Sequence, residues 1–108
     1  MVARALAAET GWLAITAEMV EARRQRGVRG RVRAHYQLLS SREHGLDVFY
    51  VESYKPSGKF DSGHLVELAD RGGFLWGMCK CRWYREFRHD GTICKHLLEA
   101  IDTQRERG

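Results

Sequence analysis

The sequence predicts an α+β fold: an N-terminal helix, an antiparallel β meander, a cysteine-bearing loop and a C-terminal helix. Three observations predict it. Apolar residues recur at helical spacing near the N-terminus, and the period switches to two from Arg29 onward. All 3 cysteines then fall where the last strand ends and the last helix begins. At 108 residues the chain has room for one domain. Residues 1–28 are assigned to the first helix, and about 29–108 to the meander, the cysteine-bearing loop and the last helix.

The first helix, over residues 3–26, rests on Leu6, Leu13 and Val20 at seven-residue intervals, with Trp12, Ile15 and Met19 alongside. Glu18, Glu21 and Arg24 suit its polar side. Gly11 is its weak point, costing about 1 kcal/mol against alanine inside a helix. The helix therefore either starts near Thr10 or kinks at Gly11. Gly27, after a run of basic residues, is its stop signal.

From Arg29 to Leu38, the side chains of Val32, Ala34, Tyr36 and Leu38 point one way, and those of Arg29, Arg31, Arg33 and His35 the other. Ser40, Ser41 and His44 form a turn after it. A second strand spans about Leu46 to Tyr54, and Lys55 to Lys59, with Pro56 and Gly58, forms a loop. Strands near Gly63–Ala69 and Gly73–Met78 are joined through Asp70, Arg71 and Gly72. Phe49, Tyr50, Tyr54, Phe74 and Trp76 alternate at strand spacing and belong to the core or the sheet faces. The last helix runs from Ile93 to Gln104, with Ile93, Leu97, Ala100, Ile101 and Gln104 on one stripe.

Composition removes several classes of protein. An apolar fraction of 44% is too rich for a disordered tail. The most apolar stretch, Met1 to Val20, is broken by Arg4, Glu9 and Glu18, so no membrane span is expected. The charge-free window from Thr10 to Ala17 is too short and polar for a signal peptide. An odd cysteine count is unlike a secreted disulfide scaffold. The chain reads as soluble and intracellular, in the cytoplasm or associated with the nucleus or nucleoid.

Cys79-Lys80-Cys81 ends a strand, and Cys94-Lys95-His96 opens a helix. Three sulfurs and one imidazole are the donor set of a structural zinc site. In an extended strand, residues two apart sit roughly 6.6 Å from each other, so the chain must bend at Lys80 for both thiolates to meet one ion. Residues two apart on a helix are about 200° apart, so Cys94 belongs just before or at the first helical position and His96 inside the first turn. Four protein ligands make a closed site, whereas catalytic zinc keeps a position open for water. A Cys-x-Cys redox pair would leave Cys94 and His96 unexplained. His89 is a substitute ligand or, preferably, a surface residue.

Cys-x-Cys, an insert of variable length, then Cys-x-His opening a helix after a strand meander resembles the SWIM zinc finger. The resemblance runs from about Phe49 to Ile101, with the finger at 79–101. It implies a ββα unit holding one zinc through Cys79, Cys81, Cys94 and His96, with DNA binding or protein–protein interaction as its role. Members accompany helicases, transposases, kinases and recombination factors. Many place Pro after the second cysteine, where this chain has Arg82-Trp83-Tyr84. No helicase, transposase or kinase motif is present, nor a catalytic triad or phosphate-cradling glycine loop, so no enzymatic activity is expected.

The net charge of +4 conceals segregation, because Arg23, Arg24, Arg26, Arg29, Arg31 and Arg33 crowd into eleven residues with no acid among them. Arginine contacts phosphate bidentately, and every phosphate neutralised adds salt-dependent affinity. Arg82, Arg85 and Arg88 interleave with Trp83, Tyr84 and Phe87 in the insert, a pattern suited to stacking on bases or a partner surface. Phe87 is read as apolar cover for the zinc loop, and Trp83 fits cover and stacking equally. The expectation is a structural-zinc module contacting nucleic acid, DNA in preference, through its arginines. The alternative is a protein-interaction adaptor in a recombination, transposition or transcription assembly.

Overall fold

A five-stranded antiparallel sheet with one helix laid across it organises the protein. The computed structural model describes residues 11–87 and 91–107, apart from the Phe87 side chain. In chain order the elements are β1 (Leu13–Ile15), α1 (Ala17–Arg26), β2 (Arg31–Tyr36), α2 (Leu38–His44), β3 (Asp47–Tyr54), β4 (Phe60–Arg71), β5 (Phe74–Cys79), α3 (Arg82–Phe87) and α4 (Lys95–Arg107). The sheet order is β1-β5-β4-β3-β2. The β2-β3-β4-β5 portion is the expected meander, and β1 adds to its far edge.

The N-terminal segment departs from the expected helix. Residues 3–10 of the expected helix lie outside the described residues, and Leu13–Ile15 is a strand paired with Leu75–Gly77 of β5. The helix begins only at Ala17. Thr16 caps it: its hydroxyl accepts from the Met19 N–H at 3.2 Å, while the Met19 sulfur accepts from the Thr16 N–H. Gly27 ends the helix as expected. Two further helices depart from the expected pattern. Leu38–His44 is helical rather than strand end and turn, and the insert after Cys81 contains α3.

Sheet register places Val32, Ala34 and Tyr36 of β2 opposite Ser53, Val51 and Phe49 of β3, and these in turn opposite Ser62, His64 and Val66 of β4. This face carries the core. Phe49, Val51, Val66 and Leu68 are fully buried, as are Ile93, Leu97, Ala100 and Ile101 towards the C-terminus. Gly77 on β5 makes the close approach of α4 possible. A Cβ there would lie 2.6 Å from Ile15 Cδ1 and 2.8 Å from Leu97 Cδ2. Arg31 and Arg33 occupy the opposite face with Tyr50, Leu65 and Phe74. Leu65 and Phe74 are exposed. No helix among the described residues is long and apolar enough to cross a membrane.

Candidate metal centre

Three chain segments converge at one corner of the core: the end of β5, the start of α3 and the start of α4. Cys79 is the last residue of β5, and the chain leaves the strand at Lys80, as the spacing requires. Cys81 and Cys94 then serve their helices in the same way. The Cys81 carbonyl accepts from Arg85 N–H at 3.1 Å, and its sulfur accepts from Tyr84 N–H at 3.3 Å. The Cys94 carbonyl accepts from Leu98 N–H at 3.2 Å, and its sulfur from Leu97 N–H at 3.4 Å. Each cysteine thus sits at a helix N-cap, where first-turn N–H groups and the helix dipole favour a thiolate. His96 lies within the first turn of α4.

The donor atoms of Cys79, Cys81, Cys94 and His96 all lie within 4.8 Å of one another, and all four residues are buried. Tetrahedral zinc holds its sulfurs about 3.8 Å apart, given Zn–S bonds of about 2.3 Å. The group is therefore of a size to hold one metal ion. Two observations test the fit. Both ring nitrogens of His96 are buried without a hydrogen-bond partner among the described residues, a costly arrangement that a metal bond to one nitrogen relieves in part. The three sulfurs also cannot all ionise by themselves. Cys81 is held far below the ordinary thiol range by hydrogen bonds from Cys79 and Cys94. Its partner Cys79 is pushed up to about 12, chiefly by that shared bond with Cys81. Burial first, then its sulfur neighbours, pushes Cys94 well up. Three such sulfurs crowd their negative charge together, and a cation is what lets all three ionise side by side.

The surroundings brace this corner. Tyr84 of α3 is buried, with its hydroxyl between the carbonyls of Gly77 (3.1 Å) and Gly11. His64 of β4 meets the His96 ring edge-on at 4.8 Å between centroids. Sequence spacing gives His64 no matched partner, because β4 brings it to the cluster only through strand pairing. Burial, and then the neighbouring His96, lowers its affinity for a proton.

The arginines expected to bind nucleic acid are divided by the fold. Arg24 makes a two-pronged ion pair with Asp102, 3.0 Å at its longer contact, tying α1 to α4. Arg26 is exposed at the end of α1. Arg29 does not share the Arg31 and Arg33 face as expected: it precedes β2 and lines the cleft beside the cluster. Gly30 makes that break, with φ of +81° and space for no Cβ, since one would lie 2.0 Å from the Tyr54 carbonyl oxygen. Arg23, Arg82 and Arg85 line the same cleft. Arg88, His89 and the Phe87 side chain lie outside the described residues. Compared with known proteins, the chain matches no family model, no curated protein and no solved structure.

Proposed function

We propose that the chain is a SWIM-like module in which one structural zinc, held by Cys79, Cys81, Cys94 and His96, fixes a basic surface for binding nucleic acid. The observation that carries the reading is the burial of three thiols and an imidazole together, with two of the thiols at helix N-caps. Soft sulfur donors with one imidazole in a four-ligand set favour zinc among common biological metals. The ion supplies a cross-link between β5, α3 and α4. With all four tetrahedral positions filled by protein, no position is left for a reactive water, so the ion's role in this reading is structural and not catalytic. The SWIM resemblance is supported by the order strand end, insert, helix start, and by His96 lying in the first helical turn.

The test has two stages. Metal analysis of the purified chain is expected to give about one zinc per chain, with loss on Cys94→Ser. A folded chain that carries no metal and takes up none when zinc is supplied would sink the reading. Binding to a labelled DNA strand is then followed against salt concentration, and affinity is expected to fall as salt rises. The second reading, a protein-interaction adaptor, is favoured by exposed Leu65 and Phe74 on the sheet face that α4 leaves uncovered. Absence of DNA binding at low salt, with zinc retained, would favour it.

A further inference from the structure

A cleft of about 580 Å³ opens beside the cluster, with Cys81, Cys94 and His96 in its wall. Six cationic side chains line it: Arg23, Arg29, Lys80, Arg82, Arg85 and Lys95. Among the described residues, Asp61 is the only carboxylate in the lining. These cations come from α1, the loop before β2, the bend after β5, α3 and the start of α4. No single run of sequence supplies them; the fold gathers them.

Charge neutralisation of the metal site does not account for six cations. Three thiolates and a divalent ion carry about −1 when the imidazole is neutral. With Asp61 that makes about −2 against six cations, an excess of about +4 along the described lining, or about +3 once Glu86 beside Arg82 is counted. The internal pairings are few. Arg82 Nε meets Glu86 at 3.0 Å, an exposed pair one helical turn apart that is worth little in water. Arg23 donates one Nη to the Gly27 carbonyl at 2.9 Å and lies 6.0 Å over the Trp83 ring, and its Nε is buried without a hydrogen-bond partner among the described residues. Arg29, Lys80, Arg82 and Arg85 are exposed. Such a concentration of like charge on few counter-charges is self-repelling, and an anionic ligand relieves it.

We propose that this cleft, and not the Arg31–Arg33 face of the sheet, seats the phosphate backbone of a nucleic-acid strand. The inference rests on the nucleic-acid reading above and assigns it a place. Lys80 lies between two of the ligands, Arg82 is next after Cys81, and Lys95 lies between Cys94 and His96. Half the cationic lining is therefore bonded directly to the ligand residues, so the cluster sets the spacing of the phosphate contacts. Exposed cations along an open cleft suit an extended polyanion that crosses it.

The experiment uses the zinc-loaded full chain and a fluorescent DNA strand of about 20 nucleotides, with anisotropy recorded from about 50 to 200 mM salt. One variant carries Arg29→Glu with Arg85→Glu; the other carries Arg31→Glu with Arg33→Glu. All four positions are exposed, and zinc content with circular dichroism reports that each variant is folded. The cleft pair is expected to weaken binding at least about tenfold and to flatten the salt slope by about 1.4, two phosphate contacts on a single strand. The sheet pair is expected to weaken it less than about threefold through long-range charge alone. The reverse ranking would overturn the cleft while leaving nucleic-acid binding intact. No binding by the unmodified chain at low salt would remove the nucleic-acid reading itself. Displacement of the strand by polyglutamate of equal charge, or by a mononucleotide at equal concentration, would also overturn the proposal, assigning the cleft to an acidic protein or a small ligand.

Discussion

At the scale of single residues, the proposed metal site sets protons against metal for the same sulfurs. The bond shared with Cys81 at Cys79, and burial at Cys94, strengthen each thiol's hold on its proton. Those protons must leave when an ion binds. Metal affinity is therefore expected to rise with pH near neutrality, by up to about 100-fold per unit for two displaced protons. Competition with a chromophoric chelator at several pH values measures this, and a flat profile would exclude thiol ligation. A second residue-scale device lies across β2 and β3. Glu52 accepts from Tyr54 Oη at 2.9 Å and pairs with His35 Nε2 at 2.6 Å. The Tyr54 bond first, then the His35 bond, holds the Glu52 carboxyl below its usual range. A carboxyl depressed by folding stabilises the native state above its unfolded pKa of about 4.3, and that contribution is lost as pH falls through the folded value. Glu52→Gln is expected to be less stable than the native chain at neutral pH, with the gap closing in acid. Denaturation midpoints at matched pH check it; a gap that widens in acid would contradict the assignment.

At the scale of elements, α1 and β5 show what local sequence can decide. Thr16→Ala removes the hydroxyl that accepts from Met19 N–H, and is expected to cost about 1 kcal/mol by denaturant unfolding. Gly77→Val pushes a branched side chain against Ile15 and Leu97, and about 1–3 kcal/mol of overpacking is expected. A Gly77→Val chain of native stability would mean that α4 lies farther from the sheet. The longer strands and α4 are legible because their periodicity is sustained and one face of each is buried. The start of α1 is not. Leu13, Ala14 and Ile15 fit the helical stripe that Leu6 and Val20 define, and only pairing with β5, about sixty residues away, makes them a strand. In α2, exposed Leu38 and Leu39 offer no buried stripe to read. Six-residue α3 is too short to show a period, and depends on Cys81 for its cap. The four cluster residues are legible from spacing because their neighbours in sequence are also neighbours in space. The division of the arginines is not, because Gly30 sends Arg29 and Arg31 to different surfaces.

At the scale of the whole molecule, two sources of stability meet in α4. Its apolar stripe, Leu97, Ala100 and Ile101, joins Phe49, Val51 and Leu68 in the core. Its first turn joins the cluster through Cys94 and His96. Hydrophobic burial in a chain of this size leaves a net stability of about 5–15 kcal/mol. Structural zinc in small fingers contributes about 10–16 kcal/mol of apparent binding energy at neutral pH. The two are comparable, so removing the proposed ion is expected to take away a share of stability similar to the whole net margin. It also leaves His96 buried with neither ring nitrogen hydrogen-bonded among the described residues. Chelation is therefore expected to lower the thermal midpoint sharply. The first amides to lose hydrogen-exchange protection should be Tyr84, Arg85, Leu97 and Leu98, whose N–H groups bond to Cys81 and Cys94. The β3–β4 ladder, paired along its length over fully buried Phe49, Val51, Val66 and Leu68, should hold longest. Loss in that order would show that the metal staples the α3 and α4 starts onto a sheet with its own core. Simultaneous loss everywhere would make the ion a condition of folding for the whole chain, and an unchanged midpoint would refute a metal role altogether.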